Sequence, residues 1–248
     1  MSRLLWHAIG WSSQAAFAVL CLSLMWFLQI DTLDGTPPAW DVPALVADAA
    51  LVAAFSVPHS ILLLPRVRRW MAGFMPAQLS GAVFCWTSCL SLWALMLAWR
   101  PAGPELWRAE GQVLVAVLAT AAAAWLLLGY SMLLSGFGWQ TGMTPFLAWV
   151  RGRPDPARRF QRRSLYRHLR HPIYLSFLLV VWIVPVMTVD RLVLAGAFTL
   201  YIYAGSWAKD RRLLRYVGDE YRQYMAEVPG FPLIGIGPLR RVRPPAVR

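Results

Sequence analysis

Two histidines sit in or beside long apolar runs of this chain, where an ionisable side chain is costly and marks a candidate functional position. His59 occurs in Phe55-Ser56-Val57-Pro58-His59-Ser60, and His171 in Arg170-His171-Pro172-Ile173-Tyr174. Both are candidate catalytic residues, and each also has a plainer reading, a ring that caps or hydrogen-bonds a neighbouring helix. His7 and His168 read as interfacial. The second constellation is Lys209-Asp210-Arg211-Arg212-Leu213, followed by Gly218-Asp219-Glu220-Tyr221 and Tyr224. Asp210 is a carboxylate able to balance a cationic ligand, although the pattern around it also suits a solvated amphipathic helix with internal ion pairs. The sequence shows no phosphate-cradling glycine loop, no zinc-ligand spacing and no Ser-His-Asp arrangement on one face. Cys21, Cys85 and Cys89 all lie inside apolar runs and read as packing residues.

The elements that must position these residues are membrane spans. Of the 248 residues, 58% are hydrophobic and 15% charged, against roughly 25% charged in an average soluble domain. Runs of about 20 apolar residues match a bilayer core of roughly 30 Å at 1.5 Å per helical residue. Fourteen Trp suit the lipid–water interface. The expected fold class is all-α: a polytopic membrane helix bundle of about six transmembrane helices, with a cytoplasmic amphipathic C-terminal helix, in one domain over residues 1–248. The expected spans are about 4–30, 42–64, 79–99, 111–134, 172–186 and 192–207. The last two are short for a crossing and predict a hairpin around Thr188-Val189-Asp190, tilted or in a locally thinned bilayer. Residues 211–226 predict an amphipathic helix, continuous with the sixth span or kinked near Lys209, and ended by Pro229 and Pro232.

The net charge of +12 comes mostly from Arg. The second and fourth loops and the tail carry the Arg clusters, while the other loops are acidic or mixed. The positive-inside rule then places both termini in the cytoplasm, with Thr36 outside and Ala157 inside. It accounts for the charge without a nucleic-acid partner, and anionic lipid headgroups are the expected counter-surface. The expected location is an integral protein of a bacterial inner membrane. The first apolar run is too long for a signal-peptide core and lacks a small-residue cleavage site.

The segment from Tyr166 to Ser176, with Arg170-His171-Pro172-Ile173-Tyr174 inside it, resembles the Arg-His-Pro-x-Tyr segment of membrane methyltransferases of the isoprenylcysteine carboxyl methyltransferase type. Leu213, Gly218, Tyr221, Tyr224 and Pro229 keep that family's downstream spacing. Phe55 with His59-Ser60, Arg69-Trp70, Trp99-Arg100-Pro101, Gly129-Tyr130-Ser131 and Arg151-Gly152-Arg153-Pro154 resemble methanethiol S-methyltransferases and NnrU-like proteins. The likeness runs from about residue 44 to 234, with a methyltransferase-like half at about 136–234.

This resemblance implies S-adenosylmethionine bound at the cytoplasmic end of the last spans, and a small thiol or lipophilic acceptor arriving from the membrane. It implies catalytic roles for His171, Asp210 and His59, and cofactor contacts from Arg170, His171, Pro172, Tyr174, Asp210, Tyr221 and Tyr224. The chain departs from the family in two places. Lys209-Asp210 replaces two adjacent glutamates, and Gly138-Trp139-Gln140-Thr141-Gly142-Met143 replaces a His-Phe-x-Leu-Phe-Gly-like stretch. Adjacent helical residues point about 100° apart, so Asp210 is expected to face inward and Lys209 to snorkel outward. Two other functions stay open. One is a haem-binding, NnrU-like protein with His59 and His171 as axial ligands across one cavity. The other is a non-catalytic relative that binds a protein partner or lipid.

Overall fold

In lipid every backbone N–H and C=O must be paired within the protein, so charge-free apolar runs fold as helices. The computed structural model describes residues 3–31, 33, 39–154, 157, 160–232 and 240–241. Thr36 and most of the first loop, with Arg158 and Arg159 of the basic stretch, lie outside the described residues. Among the described residues, four helices are long and apolar enough to cross a membrane: α1 (Arg3–Gln29), α2 (Val42–Ile61), α4 (Ser80–Ala98) and α5 (Gly111–Leu134). Between α2 and α4 lies the short basic helix α3 (Pro65–Met71). The N-terminus of α2 is set by Asp41, whose side chain accepts the Ala44 N–H at 3.0 Å, and by a proline in its first turn.

Beyond α5 come α6 (Phe137–Gln140) and α7 (Met143–Val150), which pack under the start of α1 and α4. Gly142, with φ of 79°, lies against the backbone of Gly81 and Ala82, where a Cβ would collide. The chain then forms α8 (Pro172–Trp182), α9 (Val189–Val217) and α10 (Asp219–Glu227). Neighbouring pairs are α1–α4, α4–α2, α2–α9, α9–α8 and α8–α5, so the molecule is an all-α polytopic bundle. Its largest apolar cluster includes Phe27, Leu28, Val52, Phe55, Leu95, Val180, Val184 and Leu194.

The last hairpin differs from the sequence expectation in its first leg. The sixth expected span, about 192–207, lies within α9, which runs on past Lys209. In α9, 29 residues long, Arg191 and Asp210 are separated by an uncharged stretch, 192–208. At 1.5 Å per residue these two side chains stand about 28 Å apart along the axis, close to the thickness of a bilayer core. The fifth span is shorter than expected: α8 has 11 residues and rises only about 16 Å. The rest of that leg is extended. It contains β2 (Val186–Thr188), which pairs antiparallel with β1 (Glu105–Arg108), from the segment before α5. An extended residue covers about 3.3 Å, so helix plus strand come close to the separation of Arg191 and Asp210 along α9.

An interrupted helix at this depth leaves carbonyls without helical partners. Gln29, buried at the end of α1, donates to Val180 O at 3.1 Å and Ile183 O at 3.5 Å, and accepts the Trp125 indole N–H at 3.1 Å. One amide therefore caps the broken leg and ties α1, α5 and α8 together.

Candidate functional site

The site is built where the start of α8 meets the end of α9. Pro172 occupies the first turn of α8, where its missing N–H costs nothing, and His171 is the N-cap. The chain before it is clamped to the segment after α10: Arg170 N donates to Pro229 O at 2.9 Å and His171 N to Gly230 O at 3.2 Å. Arg170 and His171 are fully buried as a result.

Asp210 is the hub. It is 2% exposed and faces inward, as its helical position predicts. Its Oδ2 accepts from Arg170 Nη2 at 3.0 Å and its Oδ1 from the Tyr221 hydroxyl at 2.5 Å. Nε2 of His171 lies 3.1 Å from the same Oδ1, and by hydrogen-bond geometry neither ring nitrogen of His171 has a partner among the described residues. The other Arg170 nitrogen, Nη1, donates to Val228 O at 2.7 Å and to Met225 O and Arg240 O at 3.2 Å. Arg170 therefore holds the turn after α10 closed. Tyr224 donates to Tyr166 O at 2.5 Å. Phe160 packs edge-on against both Tyr221 and Tyr224.

Burial pushes the pKa of His171 down to about 4, against the upward pull of Asp210, so its imidazole is neutral near pH 7. Asp210 lies beyond the uncharged stretch of α9. Burial alone would raise its pKa, but the contacts with His171, Arg170 and Tyr221 outweigh that and leave it lowered and ionised. Burial, then the charge of Asp210, pushes the Tyr221 phenol up. One anion and one guanidinium are thus buried as a hydrogen-bonded pair, the arrangement in which buried charges are tolerated.

Tyr174 stacks on the His171 ring with centroids 5.5 Å apart, and Phe231 lies 5.7 Å from that ring on a tilt. The Lys209 ammonium sits 5.1 Å above the Tyr174 ring. This corrects the expectation for Lys209. Instead of extending to the headgroups, it folds back over an aromatic face one step from His171, where a cation–π contact favours it.

The structure brings together Arg170, His171, Pro172, Tyr174, Asp210, Tyr221 and Tyr224. It does not bring His59 to them. Nδ1 of His59 lies 3.0 Å from Ser88 Oγ on α4, and its ring contacts Phe84, Phe55 and Tyr201. Among the described residues, the ring contacts of His171 are with Tyr174 and Phe231, not with these. Tyr201 and Asp210 are about 13 Å apart along α9, so the two histidine rings lie at different depths. The reason is the register of α2, which places His59 against the middle of α4. Phe160, Phe231 and the Pro229–Gly230 carbonyls were not singled out from sequence. The run Pro229-Gly230-Phe231-Pro232 was their one visible signal, a turn carrying an aromatic.

Known proteins share this arrangement of sequence. A methanethiol S-methyltransferase of Bradyrhizobium diazoefficiens is 31% identical over 198 residues, 79% of this chain and 70% of that protein. The chain belongs to the methanethiol S-methyltransferase family. It falls within the wider isoprenylcysteine carboxyl methyltransferase-like superfamily. A second family member, from Pseudomonas sp. (strain GM41(2012)), is 32% identical over 202 residues, 80% of this chain and 76% of that protein. Nurim of Xenopus laevis is 33% identical over 164 residues, covering 62% of this chain and 57% of that protein. No family model and no solved structure matches the chain. Family membership implies a methyl donor, and it makes this bundle a membrane methyltransferase by descent.

Proposed function

We propose that this protein transfers a methyl group from S-adenosylmethionine to a small thiol of the methanethiol type. The observation that carries the reading is the likeness to methanethiol S-methyltransferases over about four-fifths of the chain. The site is compatible with it. His171 is buried and neutral, with two ring nitrogens that lack partners among the described residues, so it fits a polar group of the donor. His171, Pro172, Tyr174 and the end of α9 would hold that donor, which supplies an activated methyl carbon. Arg170, Tyr221 and Tyr224 act on the protein itself, keeping His171 in place and closing the turn after α10. Asp210 holds Arg170 and Tyr221 and places one negative charge beside His171. His59, deeper in the bundle, is assigned to the acceptor side, where a thiol partitioning from lipid would meet α2 and α4. Methyl transfer to a thiol needs alignment and exclusion of water more than a strong base, and a buried aromatic-lined site offers both.

The same reading puts this site and both termini at the cytoplasmic face of a bacterial inner membrane, because the Arg-rich segments gather at that end and the polar donor comes from the cytosol. A second reading, a relative that no longer transfers methyl groups, is favoured by two observations: both Asp210 oxygens are occupied, and Lys209 stands beside Tyr174. Calorimetry with S-adenosylmethionine decides between them. Methyl transfer predicts binding by the wild-type protein, and tighter binding by Lys209→Glu, by about tenfold or more, because the change removes a nearby like charge and adds an opposite one. Absence of binding at millimolar donor in both proteins would favour the second reading.

A further inference from the structure

At the opposite end of α9 a different polar cluster surrounds a cavity of about 510 Å³, lined among others by Trp26, Phe27, Asp31, Trp93, Leu97 and Arg191. That volume falls in the roughly 300–1,000 Å³ range of small-molecule sites. Arg191 is 4% exposed. Its guanidinium lies 4.0 Å over the Phe27 ring, and its Nη2 reaches Asp31 only at 3.7 Å. Nη1 is buried and has no hydrogen-bond partner among the described residues. The neighbouring acid does not supply one. Asp190 is occupied by the Trp99 indole N–H at 2.8 Å and the Thr188 hydroxyl at 2.5 Å. A buried guanidinium left this incomplete is costly, and an anionic oxygen would complete it.

We propose that this cavity is the headgroup site of a phospholipid of that leaflet, with its phosphodiester on Arg191 and its amine on Asp31. Charge selects the headgroup. Arg191 and Asp31 are the charged residues lining the cavity, and the buried Asp190 and Asp48 also act on Arg191, so the site carries no excess positive charge, which suits a zwitterion of the ethanolamine type over a headgroup with net negative charge. The walls select a lipid over free phosphate. Trp26 and Leu97 are 58% and 88% exposed on the outer surface of α1 and α4, and tryptophan at the end of a span marks the level of the headgroups. The acyl chains would run down the α1–α4 face. The site lies about 28 Å from Asp210 along α9, so it is a structural lipid site and independent of methyl transfer.

The test is native mass spectrometry of the full chain released from detergent after incubation with phosphatidylethanolamine, phosphatidylglycerol or inorganic phosphate, paired with thermal unfolding. One retained phosphatidylethanolamine is expected, with a weaker phosphatidylglycerol signal and no stabilisation by millimolar phosphate. Arg191→Gln is expected to weaken retention about tenfold, and Asp31→Asn to shift preference toward phosphatidylglycerol. Ser23 also lines the cavity; Ser23→Phe, which fills it while leaving Arg191 in place, should also abolish retention, and it keeps the proposal testable if Arg191→Gln does not fold. Equal retention of both lipids, retention unchanged in Arg191→Gln and Ser23→Phe, or stabilisation by phosphate alone would each overturn the proposal.

Discussion

Replacing Asp210 by Asn removes one negative charge at nearly constant shape and tests the hub directly. In the wild-type protein the carboxylate receives Arg170 at 3.0 Å and Tyr221 at 2.5 Å. The amide keeps one acceptor oxygen and turns a donor toward one of these two donors. Arg170 stays buried without its counter-ion, although the carbonyls of Met225, Val228 and Arg240 still accept from Nη1. Breaking a buried pair by removing one partner costs about 3–5 kcal/mol, and those remaining carbonyls place this case near 3. For a chain of this size 1 kcal/mol moves Tm by about 2–4 °C, so Asp210→Asn should lower it by about 6–12 °C. The assay is thermal unfolding in mild detergent, followed by tryptophan fluorescence. The double variant Arg170→Met with Asp210→Leu should lose less than the sum of its single changes, because each single change strands a partner that the other removes. A fall in Tm under about 2 °C for Asp210→Asn, or additive losses in the cycle, would refute the hub.

Three further outcomes follow from the same geometry. Stability should fall as pH drops from about 6.5 toward 4: in that window the unfolded chain protonates His171 while the folded protein keeps it neutral, with a pKa of about 4. The lowered pKa of Asp210 acts in the same direction, since its contribution is present above the usual carboxylate range and is lost on acidification; His171→Gln should flatten the upper part of the profile. Gln29→Leu should cost about 2 kcal/mol in thermal unfolding, because it strands the carbonyls of Val180 and Ile183 and the Trp125 indole N–H; an unchanged Tm would show that the broken leg needs no cap. In a cysteine-free background, an impermeant thiol reagent should label Leu106→Cys from outside the cell and Ala157→Cys only after lysis; the opposite pattern would invert the orientation.

The four long spans were legible because a charge-free run of membrane length leaves a chain no other structure, and their ends agree with the charged and proline-rich breaks to within a few residues. Asp210 was legible as inward-facing because the residue before it is a cation and helical geometry lets only one of the pair face the interior. Of the last hairpin, the turn and the second leg were legible. Its first leg stops at Trp182 and continues as a strand because Glu105–Arg108 and Gln29 supply hydrogen bonds from distant parts of the sequence, and apolar composition reads alike for helix and strand. The difference in depth between His59 and His171 was not legible for a similar reason. Both lie toward one end of the bundle by sequence, but depth within the bundle depends on the register of α2 against α4. Lys209 was misjudged because its aromatic partner Tyr174 lies on another helix.

The central claim, that this bundle is a thiol methyltransferase, is tested most directly by supplying the purified protein with methanethiol and S-adenosylmethionine carrying an isotopically labelled methyl group. The headspace is then analysed by mass spectrometry. The account predicts labelled dimethyl sulfide at a rate proportional to protein, lost in His171→Ala when that variant remains folded by thermal unfolding. No labelled dimethyl sulfide from a folded wild-type protein, or undiminished product from folded His171→Ala, would contradict it.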